Sequence, residues 1–578
     1  MKNFLSYLKP HRFLLIISFL FCFISVAFSL IIPIFIGKAI DEMIGPNQVD
    51  FANIYPILLW ILIFLTLSAV FSYFYEWIAA KLTQSVVKKL RDDAFYHLEY
   101  SSIVFIDTHA HGDLVSRIVS DIEQISNGLL EGFKQLYKGV ITILITLIFM
   151  FFVNYILAFV VILITPLSLF VASYISKRNH RFFTKQAKIQ GEIGAYVLEM
   201  IENQKIVKGL TYENQAIAQF KQQNQELYQV GCDAQFSSSL TNPSTRFVNN
   251  LVYTAVGIIG MLLMLQNASF IPLLTIGGLS SFLTYANQYT KPFNEISGVV
   301  TELQTALSSL KRVQELLHVQ KEVDDGNQMI HHPIETIHFD HIYFSYDPNR
   351  PLIHDFHFTV KKGQKIAIVG PTGCGKTTMI NLLMRFYDVN HGGIFINNQN
   401  IIQIPKADLR KSFGMVLQDT WIFHGTVFEN VAYGKTNATK EEVIEACKKV
   451  HAHSFISRLP KGYDTIISAT SGLSTVEKQL LTIARMMLRQ PEIIILDEAT
   501  SNIDTRTEKK INDAFDQMMQ GKTIFVIAHQ LSTIQSADQI LVMKDGNIIE
   551  KGTHQQLLKQ NGFYKKLYLS QFEHQELI

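Results

Sequence analysis

The chain has 578 residues, 48% of them hydrophobic, and its 51 Lys and Arg nearly balance 49 Asp and Glu, for a formal net charge of +2. So small a charge excludes a strong bulk attraction to nucleic acid, and no nucleic-acid partner is expected. The four cysteines (Cys22, Cys232, Cys374, Cys447) are too scattered for a disulfide framework or a Cys-rich metal motif, and the length implies more than one domain.

Apolar residues concentrate in the first 290 positions. Residues 13–36 and 54–75 carry no charge. Each suits one helix through a hydrocarbon core about 30 Å thick, which takes roughly 20 residues. Residues 139–176 and 247–290 are also uncharged and about twice as long. Each predicts two spans, with turns at Asn154-Tyr155 and at Gln266-Asn267-Ala268-Ser269, for a total of six. The first run follows a polar, basic start and has no small-residue cleavage site, so it reads as a retained span and not a signal peptide.

Orientation follows from the loops. Residues 81–138 include Lys88, Lys89, Arg91 and Arg117, and residues 177–246 include Arg178, Arg181, Lys185 and Lys188; the intervening loops carry Lys38 alone. Positive charge stays inside, which predicts a multi-pass protein of the cell membrane with both termini cytoplasmic. No proline occurs between Pro56 and Pro166, and the two basic segments repeat apolar residues at helical spacing, as in Leu114, Ile118, Ile122 and Ile125. They predict helical extensions reaching nearly 40 Å (about 25 residues at 1.5 Å each) below the membrane. Their turns are expected near His111-Gly112-Asp113 and at residues 209–212. Tyr73, Phe74, Tyr75 and Trp77, with Glu76 among them, read as an interfacial aromatic belt, with a ligand site as the alternative.

Composition turns polar around residues 321–335, which read as a linker between a membrane domain (1–320) and a soluble domain (336–578). Beyond it, short apolar runs such as residues 365–369, 492–496 and 523–527 alternate with helical patterns, the mark of an α/β domain with parallel strands. Asp545-Gly546 predicts a hairpin. Gly370-Pro371-Thr372-Gly373-Cys374-Gly375-Lys376-Thr377, followed by Thr378, matches the phosphate-binding loop G-x-x-x-x-G-K-[ST]. Its backbone N–H groups and the following helix start suit phosphates. Lys376 is expected on the β- and γ-phosphates and Thr377 on Mg²⁺. A second apolar strand ends in Asp497-Glu498. Asp497 is predicted to hold Mg²⁺ and Glu498 to polarise the attacking water. ATP and Mg²⁺ are therefore the expected cofactors.

With these motifs in view, the whole chain resembles an ATP-binding-cassette (ABC) exporter half-transporter of the multidrug-exporter type (type IV fold). The resemblance implies an all-α six-helix transmembrane domain with long cytoplasmic extensions, then an α/β nucleotide-binding domain. It also implies roles for further residues. Tyr346 matches the aromatic that stacks on adenine, Gln418 the glutamine on Mg²⁺, and His529 the switch histidine on the γ-phosphate. Residues 501–504 match the loop at the cassette dimer interface, and residues 274–277 and 285–292 match the sixth span.

One motif departs from the family. Where Leu-Ser-Gly-Gly-Gln is expected, the chain reads Leu473-Ser474-Thr475-Val476-Glu477. Ser474 is kept, while Val476 is expected to obstruct close backbone approach to phosphate and Glu477 to add negative charge. Family cassettes pair head to tail, so a homodimer would carry two weakened sites. A heterodimer with a second half-transporter supplying an intact motif is expected instead, with one competent and one degenerate ATP site. The uncharged spans suit a hydrophobic or amphipathic small-molecule substrate, with multidrug export as the first reading. Lipid flipping or peptide export is the alternative, and an ATP-gated channel or a regulatory subunit a remoter one.

Overall fold

The computed structural model describes residues 6–43, 49–265, 274–417, 420–468, 472–497, 505–527 and 534–572. Contacts divide the chain into two compact units. One holds residues 1–100 and 109–319, the other residues 101–108 and 320–578.

The first unit is helical. Four of its helices among the described residues are long and apolar enough to cross a membrane: Ser6–Asp41, Phe51–Glu99, His111–Val153 and Arg246–Leu265. A shorter apolar stretch, Tyr155–Leu167, opens the 48-residue helix Tyr155–Glu202. The break predicted at Asn154-Tyr155 has a clear cause. Asn154 is extended, and its side chain accepts from the backbone N–H of Ile156 and Leu157, which starts a new helix as an N-cap. The turn predicted at residues 266–269 lies outside the described residues. Of the aromatic group at residues 73–77, Tyr75 is buried in the helical core while Tyr73, Phe74 and Trp77 stay on the exposed face.

Helices Arg12–Asp41 and Ile276–Leu317 pack unusually closely. A Cβ on Gly277 would lie 1.9 Å from the Gly37 carbonyl oxygen, so only glycine fits. The approach lets Asp41 accept hydrogen bonds from the Thr275 hydroxyl (2.7 Å) and the Gly277 N–H (2.8 Å) at the start of the second helix. A carboxylate there also meets the positive end of the helix dipole. Nearer the other end, Arg117 is buried between Asp113 (2.8 Å) and Glu315 (3.0 Å), and Arg312 reaches Asp113 (2.7 Å) and Asp121 (2.9 Å). The charges of this cluster thus neutralise one another.

The second unit contains twelve described strands, numbered in chain order: β1 (Thr336–Phe344), β2 (Ile353–Lys361), β3 (Lys365–Val369), β4 (His391–Ile396), β5 (Gln399–Asn400), β6 (Phe413–Val416), β7 (Gly425–Thr426), β8 (Ile466–Ile467), β9 (Ile493–Asp497), β10 (Thr523–Ile527), β11 (Gln539–Lys544) and β12 (Asn547–Gly552). A six-stranded sheet runs β12-β11-β3-β10-β9-β6, and a four-stranded antiparallel sheet runs β2-β1-β4-β5. Strands β3, β6, β9, β10 and β11 are parallel. Their isoleucines and valines are buried on both faces, as central parallel strands require. Truncating one, such as Ile494→Ala, would cost about 2–5 kcal/mol.

The segment read as a linker is strapped to this unit. Glu322 bonds Arg410 through both oxygens (2.6 and 2.7 Å) and Lys406 (3.3 Å), and Asp325 bonds the buried Arg385 (2.6 Å). Burial pushes the Glu322 carboxyl up, but Arg410 and Lys406 outweigh it and hold its pKa below the ordinary value.

Candidate nucleotide site

The parallel strands end level. Ile527 of β10 pairs with Asp497 of β9 and with Ile368 of β3, and Val416 of β6 pairs with Leu496. One sheet edge therefore carries Asp497 and the start of the phosphate loop. Gln418, Glu498 and His529 follow the ends of β6, β9 and β10 within two positions in the sequence. Those three residues, with the interface loop 501–504, lie outside the described residues.

The loop itself is built as its sequence predicts. Gly375 caps helix Lys376–Leu383 at φ +99°, a conformation open to glycine at little cost. Thr372 and Gly373 are exposed, and Thr377 is exposed on the first helical turn, while Cys374 and Thr378 are buried. The Lys376 ammonium donates to the carbonyls of Gly370 (2.8 Å) and Pro371 (2.9 Å). Its charge is thus held over the loop by bonds that phosphate oxygens can replace. Burial pushes the Cys374 thiol up against the pull of the Lys376 charge, so it stays protonated and packs as a small apolar group. The free N–H groups of a helix start, an ammonium, an exposed Thr377 hydroxyl and the Asp497 carboxylate form a donor set that fits ATP with Mg²⁺. Thr377 and Asp497 would hold the ion, and the ion would neutralise phosphate charge.

Tyr346 is half exposed beside the loop. Its hydroxyl donates to Thr378 Oγ1 (3.3 Å) and accepts from Asn381 (3.4 Å). Its ring meets Tyr387 edge to face, with centroids 4.9 Å apart. Tyr387 in turn donates to Asp107 (2.6 Å). Asp107 belongs to helix Ile103–Thr108, the piece of chain between two long apolar helices that clusters with the nucleotide-binding unit. The sequence reading missed Asp107 and Tyr387. It placed the turn near Gly112, whereas the reversal occupies residues 100–110 and Gly112 lies in the first turn of the next helix. The signal was there: Ser101-Ser102 and His109-Ala110-His111 interrupt the apolar repeat.

The departing motif has a definite geometry. Ser474 caps helix Thr475–Arg489 in a reciprocal capping box with Glu477. Glu477 Oε2 accepts from the Ser474 N–H (2.9 Å) and Oγ–H (3.0 Å), and Ser474 Oγ accepts from the Glu477 N–H (3.2 Å). An internal carboxylate thus sits on the helix start. The Val476 side chain is half-buried and packs against the apolar core of this subdomain. Thr475 is the exposed residue. The helix is anchored by Arg485, whose buried guanidinium donates to the Asn430 carbonyl, the Asn430 side chain (3.0 Å) and the Trp421 carbonyl (2.8 Å).

Comparison with known proteins agrees with this anatomy. Residues 15–293 match the ABC transporter transmembrane region and residues 353–501 match the ABC transporter family. An uncharacterized ABC transporter ATP-binding protein of Bacillus subtilis is 39% identical over 98% of this chain and 93% of its own length. A fatty acid ABC transporter ATP-binding/permease protein of Mycobacterium tuberculosis is 37% identical over 85% of this chain and 78% of its own. The solved structure of a bacterial Atm1-family ABC exporter with ATP bound has a TM-score of 0.78 at 28% identity, covering 97% of this chain and 98% of that one. A membrane-spanning helical region joined to an ATP-binding domain that couples hydrolysis to transport places this chain in the ABC transporter family, as an exporter half-transporter.

Proposed function

We propose that this chain is the catalytic half of a heterodimeric exporter with six spans, both termini and the nucleotide-binding domain in the cytoplasm. It moves hydrophobic or amphipathic compounds out by alternating access. The observation that carries the reading is the Glu477 carboxylate seated on the Ser474 helix start. That helix start is the one the family presents to the γ-phosphate held by the opposite cassette. Here the N–H and the hydroxyl of its N-cap, Ser474, are engaged by an anion of the same chain.

The phosphate loop, Asp497, Glu498, Gln418 and His529 supply this chain's own catalytic side. A partner bearing an intact Leu-Ser-Gly-Gly-Gln completes it, and the Ser474 helix completes a second, slow site. Glu498 orients and polarises the attacking water, and Lys376 carries positive charge toward the phosphates. The test is purification of the chain alone and with a co-expressed second half-transporter. Transport-coupled hydrolysis is expected only from the pair, and Glu498→Gln should abolish most of it while sparing ATP binding. Brisk transport-coupled hydrolysis by the chain alone would sink the proposal.

A second reading of the substrate rests on the relatives. Besides the fatty acid transporter, an ATP-dependent lipid A-core flippase of Syntrophus aciditrophicus is 30% identical over 99% of this chain and 94% of its own length. Long-chain amphipaths are therefore the first alternative to multidrug compounds. Proteoliposome uptake of a labelled fatty acid against a cationic dye separates the two.

A further inference from the structure

Strands β1 and β2 carry four histidines within twenty residues, His338, His341, His354 and His357, together with Asp340 and Asp355. The β1–β2 ladder pairs His338 with Thr359 and Phe339 with Phe358, then resumes at Ile342 with Phe356. Asp340 and His341 together therefore oppose His357, which is a β-bulge with its extra residue on β1. His341 takes φ +43° there. The inner face of both strands is the buried row Ile337, Phe339, Ile342, Phe356 and Phe358. His338, Asp340, His357 and Thr359 lie on the outer face.

The bulge brings three ligand types together. Asp340 Oδ1 lies 3.8 Å from His338 Nε2 and 3.9 Å from His357 Nδ1, and the ligand atoms of the three residues all lie within 4.8 Å of one another. A tetrahedral ion with bonds of about 2.0–2.2 Å separates its ligands by roughly 3.3–3.6 Å, so small side-chain rotations close the set. The other ring nitrogen of His338 meets Thr359 Oγ1 at 2.8 Å. When Nδ1 donates to that hydroxyl, the Nε2 lone pair faces Asp340, the outer-shell arrangement that fixes a metal-ligating histidine. The His341 ring stacks on His357 (centroids 4.8 Å apart, planes 22°) and is tied to Asp355.

We propose that His338, Asp340 and His357 form a surface site for a divalent first-row transition ion, with water completing the shell. Two imidazoles and one carboxylate suit Zn²⁺, Co²⁺, Ni²⁺ or Cu²⁺ and not Mg²⁺ or Ca²⁺, which take oxygen ligands. The ion would bridge β1 and β2 across the bulge, remote in role from the phosphate loop.

The experiment titrates Zn²⁺ into chelator-treated, tag-free full-length protein by calorimetry. The wild type should bind one Zn²⁺ per chain more than the His338→Ala, His357→Ala double variant. Co²⁺ should give the intense visible bands of a four-coordinate N/O site in the wild type only. Should the double variant fail to fold, Asp340→Asn should remove the same ion, and Thr359→Val should weaken it several-fold without removing a ligand. ATP hydrolysis of the assembled complex should be unchanged in Asp340→Asn. Equal Zn²⁺ stoichiometry in the wild type and in the His338→Ala, His357→Ala and Asp340→Asn variants, or only the six-coordinate aquo spectrum of Co²⁺, would overturn the site.

Discussion

Replacing Glu477 by glutamine separates the two things this side chain does at its helix start. Glutamine can also close a capping box, so the Ser474 N–H keeps an acceptor. What is lost is the carboxylate's interaction with the helix dipole, about 0.3–1 kcal/mol, which lowers the nucleotide-binding domain's melting temperature by about 1–4 °C. For ATP the sign reverses. Two unit charges 4 Å apart repel by about 4 kcal/mol at an effective dielectric of about 20. Glu477 is half-buried, so solvent and salt reduce this to roughly 1 kcal/mol, about fivefold in affinity. The assay is fluorescent ATP-analogue binding to the assembled complex in a Glu498→Gln background, alongside thermal melting. Glu477→Gln should tighten the weaker of the two sites about fivefold. Glu477→Ala should melt lower still, because the cap goes with the charge. If Glu477→Gln loosens ATP or melts as low as the alanine variant, the residue acts through its cap alone and the charge argument is wrong.

Tyr387→Phe removes the hydrogen bond to Asp107, worth about 1.5–3 kcal/mol for a charged acceptor. It should lower substrate-stimulated hydrolysis of the complex more than basal hydrolysis, and Asp107→Asn should do the same. Gly277→Val drives a side chain into the Gly37 carbonyl and parts Asp41 from its two donors, costing about 1–3 kcal/mol from overpacking; melting of the purified protein measures it, and Gly277→Ala should be milder. Arg485→Met leaves the Asn430 and Trp421 carbonyls without their donor and should destabilise the nucleotide-binding domain by roughly 2–4 kcal/mol, read by denaturant unfolding. Glu322 has a depressed pKa in the folded chain, so its contribution is fully present above the unfolded value and fades as pH falls through the folded one. The stability difference between wild type and Glu322→Gln should therefore shrink as the medium is taken below the usual glutamate range.

Much of the architecture was legible because it is written in local pattern. Uncharged runs of membrane length, the break at Asn154 between two apolar helices, the glycine-lysine loop and the isoleucine-rich strand before Asp497 each follow from spacing a reader can count. The departure at Thr475, Val476 and Glu477 was equally visible. Its consequence was not, since the direction of a side chain on a first helical turn depends on what packs beneath it. Val476 packs half-buried against the core, and Glu477 closes a cap. The assignment of residues 101–108 to the nucleotide-binding unit was also hidden, because six residues of short helix carry no periodicity that names their partner.

The amino-acid sequence by itself determined that this chain spans a membrane and binds a nucleotide, because hydrophobic length and a phosphate loop act through near neighbours in the chain. Tertiary structure alone decided which groups meet across distance. It closed Gly37 on Gly277, joined Asp107 to Tyr387, and gathered His338, Asp340 and His357 at one bulge. Such meetings depend on strand register and helix contact, and a single residue of slip would dissolve them.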